Sequence, residues 1–181
     1  MLWNDQRAAV ECEVMHEAIG TTQLIELTGK PALTSFTAPK LLWLRTHEPT
    51  CFGRIAHILL PKDAIRHQLC GVLAMDMTDA SGTSMLDVRA RSWSSQILSA
   101  LDIPKTWLPP LLESPDIAGD ITSAAAAATG LQPGTPVVAG AGDQAAAGVA
   151  CGICDPDVVS INIGTSGVLF AACDGVPIDP T

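Results

Sequence analysis

The sequence has 181 residues, 48% hydrophobic and 16% charged, with a formal net charge of -9, a composition that supplies a sizeable core and excludes disorder by composition. The acidic balance, with a pI near 4.6, excludes the basic footprint of a nucleic-acid partner, and leaves backbone N–H groups and Mg²⁺ as the means of holding a phosphorylated ligand. No apolar run approaches ~20 residues, so no membrane span is expected, and MLWNDQRAAVECE lacks the apolar core of a signal peptide, so the expected location is cytoplasmic.

In chain order, Ala8, Cys12, Met15 and Ile19 recur at helical spacing, which predicts a helix over residues 4–19 with Asn4 or Asp5 as its N-cap, ended by Gly20 and Thr21. IELTGKPALTSF reads as a turn-rich connection. TAPKLLWLRTHEP predicts a second helix with Leu41, Leu44 and Trp43 inward and Pro49 beyond its end. After the short apolar run IAHILL, Pro61 opens and Gly71 closes a third helix. MDMTDASGTSMLDV alternates around Ser81–Gly82 and predicts a hairpin. SWSSQILSALDI predicts a Ser-capped helix, followed by a Pro-rich connection.

The last third is poor in charge and rich in Ala, Gly and Val. ITSAAAAATGL predicts a helix, TPVVAGAG a buried strand running into a loop, DQAAAGVACGI a helix opening at Asp143, and VVSINIGTSGVLFAACD two strands around GTSG. Buried strands, hairpins and helices in this mixture point to an α/β layer architecture. The six cysteines are scattered. Cys151 and Cys154 form one CxxC without a second pair, so the cysteines read as small buried hydrophobes rather than zinc ligands. His16, His47, His57 and His67 share no ligand spacing, and no metal site is assigned.

Asp143 is the one acid in VVAGAGDQAAAG, residues 137–148. On helix grounds alone it is an N-cap. The loop before it, however, is made of the smallest residues, which lets a ligand approach the backbone. A carboxylate at the C-terminal end of a strand in an α/β layout also stands where ligands tend to sit. A helix N-terminus attracts negative charge, which suits a proton acceptor in a reaction governed by electrostatic positioning, such as phosphoryl transfer. In INIGTSGVLF, Gly164 and Gly167 permit close approach while Thr165 and Ser166 offer donors, so the segment reads either as a plain hairpin turn or as a phosphate-holding turn. LWNDQR and DMTDASGT are polar clusters that suit a polyol, with capping by Asn4 and turn-making by Asp79 as equal explanations.

Taken in order, these segments resemble the FGGY family of carbohydrate kinases, and within it the bacterial xylulokinases. SFTAPKLLWLRTH, residues 35–47, is similar to the family's first signature, with Lys40 and Trp43 in place. LLPKDAIRHQLCG with DMTDASGTSMLDV, VVAGAGDQAAAGVACG, and SINIGTSGVLF match successive family blocks along nearly the whole chain. The resemblance implies part of an actin-like (ribonuclease H-like) ATPase domain that phosphorylates a ketose sugar with ATP and Mg²⁺, D-xylulose to D-xylulose 5-phosphate foremost. It implies Asp143 as general base, Gln144, Asn4 and Asp5 as substrate contacts, and Gly164, Thr165 and Ser166 as the loop facing the ATP phosphates.

Family members begin with a strand and an Asp-x-Gly-Thr-Ser/Thr loop, then a Met-His pair that holds the ketose. This sequence starts after both and ends near the expected start of the second domain. Residues 1–181 are therefore expected to be a partial N-terminal domain, the sugar-binding side, lacking its opening strands and the C-terminal nucleotide domain. Little or no turnover is expected of such a chain alone. Surface left uncovered is expected to be apolar and to favour a homo-oligomer. Gluconate, ribulose or glycerol as substrate, and a non-catalytic sugar-binding or association fragment, are the alternatives.

Overall fold

A computed structural model describes residues 1–164 and 167–178. The first half is a helical layer. α1 (Ala9–Ile19), α2 (Thr21–Thr28) and α3 (Thr37–His47) pack together, followed by the single turn α4 (Pro49–Phe52). Cys12, Met15 and Ile19 recur three and four residues apart and form the buried face of α1. The helix starts later than its periodicity suggested. Asn4 and Asp5 do not cap it, because Asp5 accepts hydrogen bonds from the Arg7 backbone and guanidinium at 3.1 and 3.0 Å instead. Gly20, at φ +90°, ends α1 and lets α2 begin at the next residue. The connection expected there is thus helical as far as Thr28, with Leu24, Ile25 and Thr28 buried and Gly29 left-handed at its end. On α3, Leu41 and Leu42 face inward, while Trp43 and Leu44 are half-buried.

α5 (Pro61–Cys70) follows the expected pattern, with Pro61 in its first turn and Gly71 at φ +75° closing it. Residues 75–88 do not form the expected hairpin. After β1 (Met75–Asp76), the Asp76 carboxylate accepts the N–H groups of Thr78 and Asp79 and starts a short helix, α6 (Met77–Ser81). Ser81–Gly82 is the end of that helix rather than a strand turn. The hairpin lies one step later, between β2 (Leu86–Asp87) and β3 (Ser92–Trp93).

α7 (Ser95–Ala100) is capped by Ser94, whose hydroxyl accepts from Ile97. β4 (Leu111–Leu112), beyond a single 3₁₀ turn, pairs in parallel with β1. β5 (Ile117–Asp120) and β6 (Pro136–Val138) are antiparallel and flank α8 (Ser123–Thr129), which is capped by Thr122. α9 (Asp143–Ala150) then leads to the antiparallel pair β7 (Val159–Ile163) and β8 (Gly167–Ala171). Among the described residues the strands form four two-stranded sheets, not one broad sheet.

The core lies between α1–α3, α7 and the β1–β3 region, where Met15, Leu24, Leu42, Met75, Met85 and Ile97 are fully buried. The C-terminal third contrasts with it. β6 is not the buried strand its sequence suggested, since Val138 is 49% exposed, and Ile161, Ile163 and Leu169 are 69%, 89% and 71% exposed. All six cysteines are free, but only Cys12 and Cys70 are buried, so the other four depart from the expected burial. No helix among the described residues is long and apolar enough to cross a membrane.

Lys30 joins α2 to α6, donating to the Ser81 carbonyl at 2.5 Å with its ammonium 4.7 Å from the Phe36 ring centre. Burial pushes its pKa down from 10.5 to about 8. Between these values the unfolded chain binds the extra proton and the folded chain does not, so stability rises with pH across that window. Urea titrations from pH 7.5 to 10.5 should show wild type gaining on Lys30→Met by up to ~1.4 kcal/mol per pH unit. Parallel curves would contradict this burial effect.

Candidate active site

Asp143 is the first residue of α9, and Oδ1 of its carboxylate accepts the Gln144 N–H at 2.9 Å. Oδ2 has no hydrogen-bond partner among the described residues, and both Asp143 and Gln144 are exposed. The loop that delivers them, residues 139–142, is fastened to the body of the protein at Ala139, Gly140 and Gly142. Ala139 donates to the Asp116 carbonyl at 2.8 Å and Gly140 to that of Ser114 at 3.1 Å. The Ala139 carbonyl accepts from Lys62 Nζ at 3.1 Å and Arg66 Nη1 at 2.6 Å. Gly142 donates its N–H to Thr78 Oγ1 at 2.8 Å.

The glycines of this loop are needed for that fit. Gly140 has φ +82°, and a Cβ there would meet Lys62 Cδ at 3.1 Å. A Cβ on Gly142 would meet Asp79 Oδ1 at 3.0 Å. The small residues therefore let the loop settle against Lys62 and α6, so the close approach the sequence suggested is made to the protein's own side chains.

Below the loop lies a charge cluster. Lys62 Nζ is 2.7 Å from Asp76 Oδ1, 3.2 Å from Asp63 Oδ1 and 3.3 Å from Asp79 Oδ2. Arg66 pairs with Asp63 at 3.0 Å and also donates to the Ala74 carbonyl. Asp63 and Asp76 are fully buried. Burial opposes charge on Lys62, but Asp76 and Asp63 outweigh it and hold its pKa above the ordinary lysine value. Burial likewise opposes ionisation of Asp76, and Lys62 and Thr78 outweigh it, so its carboxyl stays below the usual range. At Asp79 burial wins over the Lys62 attraction and the pKa rises. The three carboxylates lie close enough together to ligate a cation. The Lys62 ammonium already stands within 3.3 Å of an oxygen of each, where a cation would have to sit, so this cluster does not fit Mg²⁺.

The polar cluster DMTDASGT is thus internal structure, with Asp76 capping α6 and Asp79 paired to Lys62. Sequence reasoning gave no role to Lys62, Arg66 or Thr78. The available signal was a Lys-Asp pair and an Arg, at positions two, three and six of α5, on a helix face that also buries Cys70.

Gln144 lines a small cavity between α9 and the β7–β8 pair, with Gly148, Cys151, Ser160, Asn162 and Phe170. Any side chain at Gly148 would collide with the Phe170 ring, so this glycine sets how closely α9 lies on β8. Gly164 sits at the end of β7, on the same hairpin, whereas Thr165 and Ser166 lie outside the described residues. The N-terminal segment that carries Asn4 and Asp5 meets α3 instead, through Arg7. Asp5 is held below the usual carboxylate range by the Arg7 N–H and guanidinium, and the Arg7 guanidinium stands 5.2 Å from the Trp43 ring centre. Among the described residues, no hydrogen bond or ion pair joins Asn4 or Asp5 to Asp143, Gln144 or Gly164.

Residues 1–150 match the N-terminal domain of the FGGY family of carbohydrate kinases. The chain belongs to that family. Its fold is accordingly that of the FGGY N-terminal domain, an actin-like ATPase fold. The FGGY segment is 43% identical to the xylulose kinase of Escherichia coli (strain K12) and 41% identical to that of Klebsiella pneumoniae, in each case over 175 residues. Those alignments cover 97% of this chain and 36% of each relative. The crystal structure of a xyloylose kinase from Brucella ovis superposes with a TM-score of 0.91 at 38% identity, covering 99% of this chain and 36% of that one. The chain therefore spans little more than a third of the length of the relatives it matches.

The charge cluster makes a direct demand on stability. Lys62→Met should cost roughly 2–4 kcal/mol at pH 7, because it leaves the buried Asp76 carboxylate without its charge partner. The loss should shrink as pH falls, since protonation of Asp76 removes the charge that Lys62 balances. Urea unfolding at pH 7 and pH 4 checks both parts, and a loss that is small or independent of pH would contradict them.

Proposed function

We propose that this segment is the sugar-binding side of an ATP-dependent carbohydrate kinase, with a ketose as acceptor and D-xylulose foremost. The observation that carries the reading is likeness along nearly the whole chain to proteins named xylulose kinase. Asp143 accepts the proton of the attacking sugar hydroxyl. Its exposed Oδ2 is free to do so, while Oδ1 is committed to the backbone of its own helix. Gln144, one residue on and also exposed, hydrogen-bonds the sugar. Asn4 and Asp5 serve the sugar side through the N-terminal segment, Asp5 by fixing the Arg7 guanidinium.

ATP with Mg²⁺ supplies the transferable phosphoryl group. Gly164, Thr165 and Ser166 would hold phosphate oxygens with backbone N–H and hydroxyl donors. Gly164 follows β7 directly, and Phe170 on Gly148 ties the β7–β8 pair to the helix bearing Asp143. The helix that bears Asp143 and the strand pair next to Gly164 are thus in direct contact, which suits a reaction governed by positioning.

We further infer that residues 1–181 act within a longer kinase. Phosphoryl transfer draws groups from both sides of a cleft, and the chain spans 36% of its relatives. On its own the chain should turn over little or not at all.

The test is sugar-dependent ADP formation with D-xylulose, measured on the intact polypeptide and on the 181-residue chain. Asp143→Asn in the intact polypeptide should lower kcat by about 10²–10⁴-fold, the usual contribution of general base catalysis. Undiminished kcat would overturn the assignment of the base. Xylulose-dependent turnover by the 181-residue chain, abolished by the same substitution, would overturn the need for the rest of the kinase.

A further inference from the structure

We propose that Thr78 is the positioning residue for Asp143, holding the loop before it through a hydrogen-bonded relay anchored on Lys62. The inference rests on Asp143 being the base. Three donors and acceptors fix the direction of the relay. Asp76 is ionised and can only accept, so Thr78 Oγ1 must donate to it, at 2.5 Å. The hydroxyl has one proton, so towards the loop it can only accept, and it takes the Gly142 N–H at 2.8 Å. The other oxygen of Asp76 is held by Lys62 at 2.7 Å. A charge-assisted bond behind the hydroxyl strengthens the bond in front of it.

Gly142 is the residue immediately before Asp143, so its N–H is the last tether before the base. The same Lys62 ammonium holds the other end of the loop through the Ala139 carbonyl, together with Arg66. The loop is thus fixed at both ends by one cluster, while Asp143 itself projects to the surface. Asp143 is the first residue of α9 and is exposed, so where its carboxylate sits depends on how the loop before it sets the start of that helix. Its position is inherited from Gly142, and a displacement of about 1 Å is worth roughly 10²-fold in rate. The hydroxyl at 78 is required for this role and the methyl group is not. Valine keeps the shape and loses the bond, and serine keeps the bond.

The test is steady-state kinetics and amide exchange on the intact polypeptide, with Asp143→Asn alongside. Thr78→Val should lower kcat by about 10–100-fold with KM for the sugar changed by less than about twofold. It should also speed exchange of the Gly142 amide at least about tenfold. Thr78→Ser should restore both. Gly142→Ala, which places a methyl against Asp79 without removing the Thr78 hydroxyl, should show the same loss of kcat and decides the matter if Thr78→Val does not fold. Wild-type kcat in a folded Thr78→Val or in Gly142→Ala would overturn the proposal, as would an effect confined to KM or to melting temperature. So would a Thr78→Ser variant as slow as Thr78→Val. Inactive Asp143→Asn beside fully active Thr78→Val removes the positioning role and leaves the base. Fully active Asp143→Asn removes the base, and the positioning role with it.

Discussion

The ammonium of Lys62 stands among three carboxylates and one backbone carbonyl, and it joins α5, α6 and the loop that leads to α9. Two of those carboxylates, Asp63 and Asp76, are fully buried, which is tolerable only when the charge is matched at hydrogen-bond distance. Lys62 and Asp63 come from the first turn of α5, while Asp76 and Asp79 come from the start of α6. The cluster therefore joins two helices that are separate in sequence. Its fourth contact, to Ala139, brings in the strand and loop that lead to α9.

That arrangement resolves an apparent contradiction in the chemistry. The proton acceptor proposed at Asp143 must be open to its substrate, and Asp143 is exposed, yet the loop of Ala and Gly that leads to it has little side-chain packing to hold it in place. The solution is to separate the two demands. The charged groups that do the holding are buried one layer below, and the loop transmits their positions through backbone groups alone. Gly140 and Gly142 make this feasible, since side chains there would meet Lys62 and Asp79. Beyond the loop, Gly148 plays the corresponding part for the hairpin by admitting the Phe170 ring against α9.

Much of this was legible in the sequence, for identifiable reasons. Pro61 and Gly71 marked α5 because each has one strong backbone preference, and Ser94 and Thr122 marked α7 and α8 by capping. Family order along the chain pointed to the kinase fold before any coordinates. What failed depended on tertiary competition. Asp5 satisfies Arg7 rather than a helix end, and Asp76 caps a helix where alternating polarity suggested a strand. Val138 is apolar and belongs to a strand whose sequence predicts burial, but burial depends on a neighbouring surface and not on the residue. The relay from Lys62 to Thr78 had no sequence signature at all, because its members lie 14, 16 and 80 positions from the first, at Asp76, Thr78 and Gly142.

The central claim is that Asp143, held by this cluster, faces the sugar hydroxyl that receives the phosphoryl group. A crystal structure of the intact polypeptide with D-xylulose and a non-hydrolysable ATP analogue tests it most directly. The account predicts a sugar hydroxyl about 2.6–3.2 Å from the Asp143 carboxylate, with the Gly142 N–H still on Thr78 Oγ1. A bound sugar whose hydroxyls all lie beyond water-bridging distance of Asp143, with a different carboxylate in its place, would contradict it.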